Sequence, residues 1–336
     1  MDYSTINLGH GSGGLMTREL LDEIIFKTFS NPYLDKKHDG SVVKIEGEIA
    51  ISTDSFVISP IFFKGGNIGE LAVNGTVNDV AMCGAQPKYL SLAFIVEEGM
   101  KVEDFLKVVH SIKETADKCG VQIITGDTKV VERGKGDQIF INTTGFGGVN
   151  PKGHISASNI KVGDKIIVNS YIAQHGMAIM SQREGLEFES TIESDTTNLN
   201  FIANDLIEEF GKDIHLYRDA TRGGLAAVLT EIADDVNMGV VIHENDLPLD
   251  RQVAAACEIL GLDPLYVANE GVFVAIVDAA IADEVVALMR KDEKGAHAVC
   301  IGAITEAHPK KVVMESGIGG KRIVSPMIGE QLPRIC

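Results

Sequence analysis

The sequence predicts a two-domain protein of mixed α/β class. A chain of 336 residues is long enough for two well-packed domains. Segments of helical periodicity alternate with short apolar runs along the whole chain. A turn-rich stretch, NPKGHISASNIKVGDKIIV, separates two halves that each repeat the mixed pattern.

The elements follow in order. Leu15 to Phe29 reads as an amphipathic helix with Leu20, Leu21, Ile24, Ile25 and Phe29 on one side, entered from the glycine-rich GHGSGG. VVKIEGEIAISTDSFVI alternates and then turns apolar, as strands ending near Thr53 and Asp54 do. NIGELAVNGTVNDVAMCGA is a helix rich in small, close-packing residues. Val102 to Lys118 is another, with Phe105, Val109, Ile112 and Ala116 at helical spacing. VQIITGD is a short buried strand closing on Gly126 and Asp127, and QIFINTTGFGGV is a strand running into glycines. The second half opens with a strand near Asp164. Helices over Leu199–Phe210, Gly223–Ala233 and Ala279–Arg290 follow, with strands between them. Beyond about Lys311 the glycine-rich text predicts a flexible arm of roughly twenty residues ending at Cys336.

Composition removes several classes. A formal charge of −18 argues against a nucleic-acid surface, which needs clustered Lys and Arg. Five scattered cysteines with no C-x-x-C pair argue against a disulfide framework or a structural zinc site. No apolar run reaches membrane-spanning length, and MDYSTINLGHG lacks the regions of a signal peptide, so a cytoplasmic location is expected. An acidic chain binds a polyphosphate through metal ions and helix N-termini.

The candidate chemistry lies in a few motifs. Asp54 in STDS, Asp79 in VNDV and Asp127 in TGDT are oxygen ligands of the type Mg²⁺ takes, though each taken singly reads more readily as a cap or turn residue. In RDATRGGLAAVLTEIA, Arg218, Asp219, Thr221 and Arg222 precede Gly223, Gly224 and a helix start, which offers an anion site; plain capping by Asp219 or Thr221 is the alternative. GHGSGG allows close backbone approach to phosphates but matches neither the Walker A nor the dinucleotide pattern. Glu270 in YVANEGVFVAIV lies between apolar segments, where burial makes a carboxylate a proton acceptor near neutrality. Lys129 in GDTKVV and His175 in AQHGMAIM are candidates for proton transfer or phosphate contact, against the readings of a surface lysine and a loop histidine. The terminal thiol of Cys336 is not a prenylation signal, which needs the cysteine four places from the end.

Together GHGSGG, STDSFVISPIFFKGGNIGELAVNGTVNDVAMCGAQPKYLS, TGDTKVVERG, RDATRGGLAAV, ANEG and the final PRIC resemble the HypE family of hydrogenase maturation proteins, in order from residue 9 to residue 336. The central motifs also suit the wider superfamily of aminoimidazole ribonucleotide synthetase and selenophosphate synthetase. The PRIC end distinguishes this member.

The resemblance implies an α+β fold of two mixed domains. Residues 1–155 would bind ATP and form a homodimer whose strands close into a barrel, residues 156–310 would form the second domain, and 311–336 a flexible tail, with ATP in the cleft between domains. It implies that the carbamoyltransferase HypF loads a carbamoyl group onto Cys336, that the protein dehydrates it with ATP to a thiocyanate, and that the cyanide passes to iron on HypC–HypD. By the same resemblance Asp54, Asp79 and Asp127 hold Mg²⁺. His10, Gly11, Ser12, Gly13 and Gly14 close over the nucleotide, which Asn78, Gly126, Thr128, Asp219, Arg222 and Gly223 also contact. Lys129 and Glu270 serve the dehydration, Glu270 as base, and His175 lies near the incoming tail.

Two rival readings stand beside this one. One is another ATP-using member of the superfamily, although GHGSGG has no cysteine where selenophosphate synthetase places one. The other is a carrier that presents the carbamoyl or cyano group without catalysing its formation.

Overall fold

The computed structural model describes residues 4–38, 40–184, 191–327, 329 and 334–336. It divides into two compact units, one of residues up to Val80 with Ala85–Val149 and Cys336, the other of Ala81–Gly84 and Asn150–Ile335. The boundary falls between Val149 and Asn150, at the start of the expected turn-rich stretch and a few residues before residue 155. No helix among the described residues is long and apolar enough to cross a membrane.

The first unit starts with α1 (Leu15–Leu20), which continues through a π-wound turn, Leu21–Phe26, into α2 (Lys27–Phe29). Then come β1 (Ile49–Phe56), the two-residue strands β2 (Phe62–Phe63) and β3 (Gly66–Asn67), α3 (Ile68–Met82), β4 (Ala85–Glu97), α4 (Val102–Cys119), β5 (Gln122–Val131) and β6 (Ile139–Val149). The main sheet has the order β1-β6-β4-β5; β4 and β5 run parallel and the other pairs antiparallel. On one face the strands present Phe56, Ile141, Leu92 and Phe94, all buried, and the ring of Phe94 meets Phe105 of α4 edge-on at 5.5 Å. The opposite face leaves Ile49, Ile51 and Ile95 47%, 61% and 44% exposed. The barrel expected for this domain is not closed within the chain, whose sheet is open with β1 and β5 at its edges.

The second unit holds β7 (Lys165–Val168), α5 (Gln174–Arg183), α6 (Asn200–Phe210), β8 (Ile214–Asp219), α7 (Gly224–Val236), β9 (Gly239–His243), α8 (Arg251–Leu260), β10 (Phe273–Val277), α9 (Ala282–Met289), β11 (Val299–Thr305), β12 (Val312–Glu315) and β13 (Lys321–Val324). Its sheet order is β13-β12-β9-β11-β7-β10-β8. Successive residues point to opposite faces, so Ile166, Val274 and Ile276 pack with Leu225, Leu229 and Ile232 of α7. Ile167 and Ala275 pack on the other face with Leu206 of α6 and Val285 of α9. A sheet covered on both faces explains why FVAIV is apolar without alternation.

The end of the chain departs from expectation. Residues beyond Lys311 do not start as a loose arm: β12 pairs in parallel with β9, and β13 folds back on β12. The glycines supply the turn, where Ser316 N–H donates to Gly320 C=O at 2.8 Å, and Val312, Val313, Met314 and Val324 are buried. A glycine cluster between two short β-branched runs is a hairpin signal, and here it overrides the linker reading. Of the later tail, Gln331–Pro333 lie outside the described residues.

Candidate active site

In the first unit the glycine loop folds against β5. Asn7 and His10 cap each other: the Asn7 N–H donates to His10 Nδ1 at 3.0 Å, and the Gly9 N–H to Asn7 Oδ1 at 3.0 Å. His10 is fully buried and shapes the turn. A Cβ on Gly11 would stand 2.6 Å from the Val130 nitrogen, so only glycine permits this approach to the strand. Ser12 and Thr17 hydroxyls donate to the Gly9 carbonyl at 3.0 and 3.2 Å, and Gly13 N–H donates to the Thr17 hydroxyl. Gly14 precedes α1 without a side-chain cap.

Between this loop, the π-wound turn and β5 lies a pocket of about 260 Å³. Leu21, Phe26, Phe29, Leu92 and Phe94 wall its apolar part, and Gly11, Gly13, Asp127 and Lys129 contribute its polar rim. Gly126 is again obligatory, since a Cβ there would lie 2.1 Å from the Leu92 carbonyl oxygen. Thr128 is buried beside it.

Asp127 is not at a strand end as predicted, because β5 runs on through it and Lys129 to Val131. Two residues apart, they share a face, and Lys129 Nζ donates to Asp127 at 2.7 Å. That ammonium, chiefly, lowers the Asp127 pKa, aided by the Thr128 N–H.

The three aspartates divide in one chain. Asp54 alternates onto the helix-covered face of β1 with Ser52, whose hydroxyl donates to Asp79 of α3 at 2.8 Å, so Asp54 and Asp79 flank one serine. Asn78, next to Asp79, is buried. Asp127 belongs to the opposite edge strand and the opposite face. Three strand spacings, about 14 Å, separate the two edges.

In the second unit, β8 ends at Asp219 and the Ala220 N–H donates to Val272 C=O at 2.8 Å, placing RDAT beside ANEG. The residue that flanks α7 is Gly223, at φ +74° and with no side-chain cap, so neither Asp219 nor Thr221 stands at the N-cap position. A Cβ on Gly224 would meet the Val267 carbonyl oxygen at 2.5 Å. Arg222 is exposed. Asn269 ties the loops together, donating to Ala220 C=O and accepting from Ala173 N–H, both at 2.6 Å.

Glu270 is 5% exposed. Its N–H and that of Gly271 donate to the Asp195 carboxylate at 3.2 and 3.0 Å. The backbone N–H of His175, in the first turn of α5, reaches the same carboxylate. Burial pushes the Asp195 carboxyl up to about 6, against the pull of these N–H donors. The His175 ring is fully buried; Nδ1 lies 2.8 Å from Ser194 Oγ and Nε2 2.7 Å from the Ile335 carbonyl oxygen. Burial lowers this imidazole to about 4. Arg183, at the far end of α5, donates to Arg334 C=O at 2.7 Å. The tail end is thus held at two successive carbonyls, with Ile335 buried. Within the first unit the Val57 N–H donates to Cys336 C=O at 3.0 Å.

Ser194, Asp195 and Arg183 were not signalled by the sequence, and Asn269 only as part of ANEG. STIESDTTN has the composition of a surface loop, and only folding reveals that Asp195 is enclosed.

The architecture defines a class. Residues 37–149 match the AIR synthase related protein N-terminal domain and residues 161–315 the corresponding C-terminal domain. Over 332 residues the chain is 46% identical to the carbamoyl dehydratase HypE of Bradyrhizobium diazoefficiens, covering 98% of this chain and 96% of that one. A crystal structure of hydrogenase maturation protein HypE in complex with ATP superposes with a TM-score of 0.95 at 43% identity, covering 99% and 100% of the two chains. A HypE–HypF complex superposes at 0.81 with 42% identity, covering 92% and 99%. The chain belongs to the HypE carbamoyl dehydratase family.

Proposed function

We propose that this protein dehydrates a carbamoyl group carried on its own Cys336, using ATP, to supply cyanide ligands for a nickel–iron hydrogenase. The observation that carries the reading is the held tail: Ile335 C=O accepts from His175, whose backbone shares the Asp195 carboxylate with Glu270. A terminal cysteine that follows a docked residue suits a group that is both cargo and substrate.

The chemistry is a net removal of water. The thiocarbamate oxygen takes the γ-phosphoryl of ATP, one N–H proton is lost, and ADP departs. The resulting S-bound iminophosphate then loses its second N–H proton and expels phosphate, as the C–O bond breaks and the C≡N bond completes. An amide oxygen leaves poorly, whereas phosphate leaves well. Phosphoryl transfer needs chiefly positioning and neutralised charge. Glu270 is the preferred proton acceptor, with Lys129 assisting at the phosphoryl oxygens. Asp219, Arg222 and the uncapped start of α7 suit an anion in the second unit.

The apolar pocket with a glycine rim in the first unit suits the adenosine part of ATP, the co-substrate named for the superposed HypE structure. The all-oxygen donors Asp54 and Asp79 fit Mg²⁺, which when bound would neutralise phosphate charge. Asp127 joins them through a second copy of the chain, whose β5 edge would approach β1. The exposed Ile49, Ile51 and Ile95 on the uncovered sheet face favour such a homodimer, with the strands of two chains forming the barrel. HypF would load Cys336, as the HypE–HypF complex suggests, and HypC–HypD would accept the cyanide.

Substitution Glu270→Gln tests the assignment of the base. Incubated with the carbamoyl donor, HypF and Mg²⁺–ATP, the variant is expected to accumulate carbamoylated or phosphorylated tail. Normal turnover would remove Glu270 from the role.

A further inference from the structure

His175 is neutral near pH 7, since burial depresses its pKa to about 4, so one ring nitrogen carries the proton. Its Nε2 faces the Ile335 carbonyl oxygen, which can only accept; the proton is therefore on Nε2. Nδ1 must then accept, and the Ser194 hydroxyl donates to it. The Ser194 oxygen in turn accepts from the Thr196 N–H at 3.1 Å. A directed chain runs from the Thr196 N–H through Ser194 and His175 to the last peptide carbonyl before Cys336. The next residue, Asp195, accepts the backbone N–H groups of His175, Glu270 and Gly271. A Cβ on Gly271 would stand 2.0 Å from the Asp195 carbonyl oxygen, so the two segments are in direct contact.

We propose that Ser194 and Asp195 are positioning residues for the reactive tail. Ser194 supplies the donor that the Nδ1 of the His175 tautomer holding Ile335 requires, and Asp195 ties that histidine to the loop bearing Glu270. This rests on the reading of Cys336 as cargo site. The hydroxyl is needed as a donor, which alanine cannot supply and threonine can. Without it Nδ1 is a buried acceptor lacking a donor, and the tail is held less firmly.

The test uses the full-length protein without carbamoyl donor or ATP. Alkylation of Cys336 by iodoacetamide is followed by the mass of the peptide that Lys-C releases after Lys321, with the exposed Cys83 as internal reference. Ser194→Ala is expected to speed alkylation of Cys336 about fivefold, the shift that loss of one hydrogen bond gives. Cys83 should react unchanged, and Ser194→Thr should keep the wild-type rate. In ¹⁵N-histidine-labelled wild-type protein His175 should show the Nε2–H tautomer, a readout that no variant's folding affects. An Nδ1–H tautomer, or a Ser194→Ala variant alkylated at the wild-type rate, would overturn the proposal. Neither readout involves carbamoyl chemistry, so failure of the dehydratase reading would leave these outcomes intact and be recognised separately.

Discussion

Glu270 donates its backbone N–H to both oxygens of the Asp195 carboxylate at 3.2 Å, and that carboxylate also receives the N–H of His175. The candidate base and the residue that holds the tail are therefore set by one buried acid. Geometry at either responds to the charge of Asp195.

That coupling predicts a pH signature. The folded pKa of Asp195, about 6, lies above its ordinary value of 3.8, so its contribution to stability is fully present below about pH 4 and lost as pH rises through 6. His175, depressed from 6.5 to about 4, contributes stability that is present above 6.5 and lost as pH falls through 4. The two oppose each other between pH 4 and 6. Asp195→Asn should remove the Asp195 contribution only, so urea midpoints measured at pH 5 and 7.5 should show the variant gaining relative to wild type at the higher pH. A constant difference would mean that Asp195 does not titrate in this window.

At the glycine loop, the close approach of Gly11 to Val130 makes Gly11→Ala the sharpest probe of the nucleotide pocket. The added methyl must push the loop off β5, and ATP affinity measured calorimetrically is expected to fall by about tenfold or more, ~1.4 kcal/mol. Thermal stability should move far less, because the loop lies at the margin of the core.

The uncovered face of the first sheet gives a prediction about assembly. Ile51 is 61% exposed on that face, on the edge strand β1, so if the proposed homodimer forms there Ile51→Asp should shift sedimentation toward monomer while leaving the fold intact. If the dimer persists unchanged, its interface lies elsewhere.

Much of the fold was legible because its signals are local. Phe105, Val109, Ile112 and Ala116 repeat at helical spacing, and all four are buried in α4. Leu199–Phe210 likewise matches α6 within one residue. Long-range pairing was not legible. Asp127 looked like a strand-end residue because TGD resembles a turn, yet pairing with β4 carries the strand on to Val131. Residues 312–324 looked like a linker until β9 offered an edge to pair with. At the site, the motif residues Glu270 and His175 could be singled out, but Ser194 and Asp195 are ordinary loop residues by composition. Their importance arises from enclosure, which only the folded chain creates.

On the proposed reading Cys336 carries the group that is dehydrated, and the mass of the C-terminal peptide decides this. With HypF and carbamoyl phosphate the peptide should gain a carbamoyl group, a change that Cys336→Ala abolishes while ATP binding is retained. On addition of ATP and Mg²⁺ the carbamoylated peptide should lose one water. A carbamoyl group that persists unchanged with ATP and Mg²⁺ present would rule out the dehydratase activity and leave the protein a carrier.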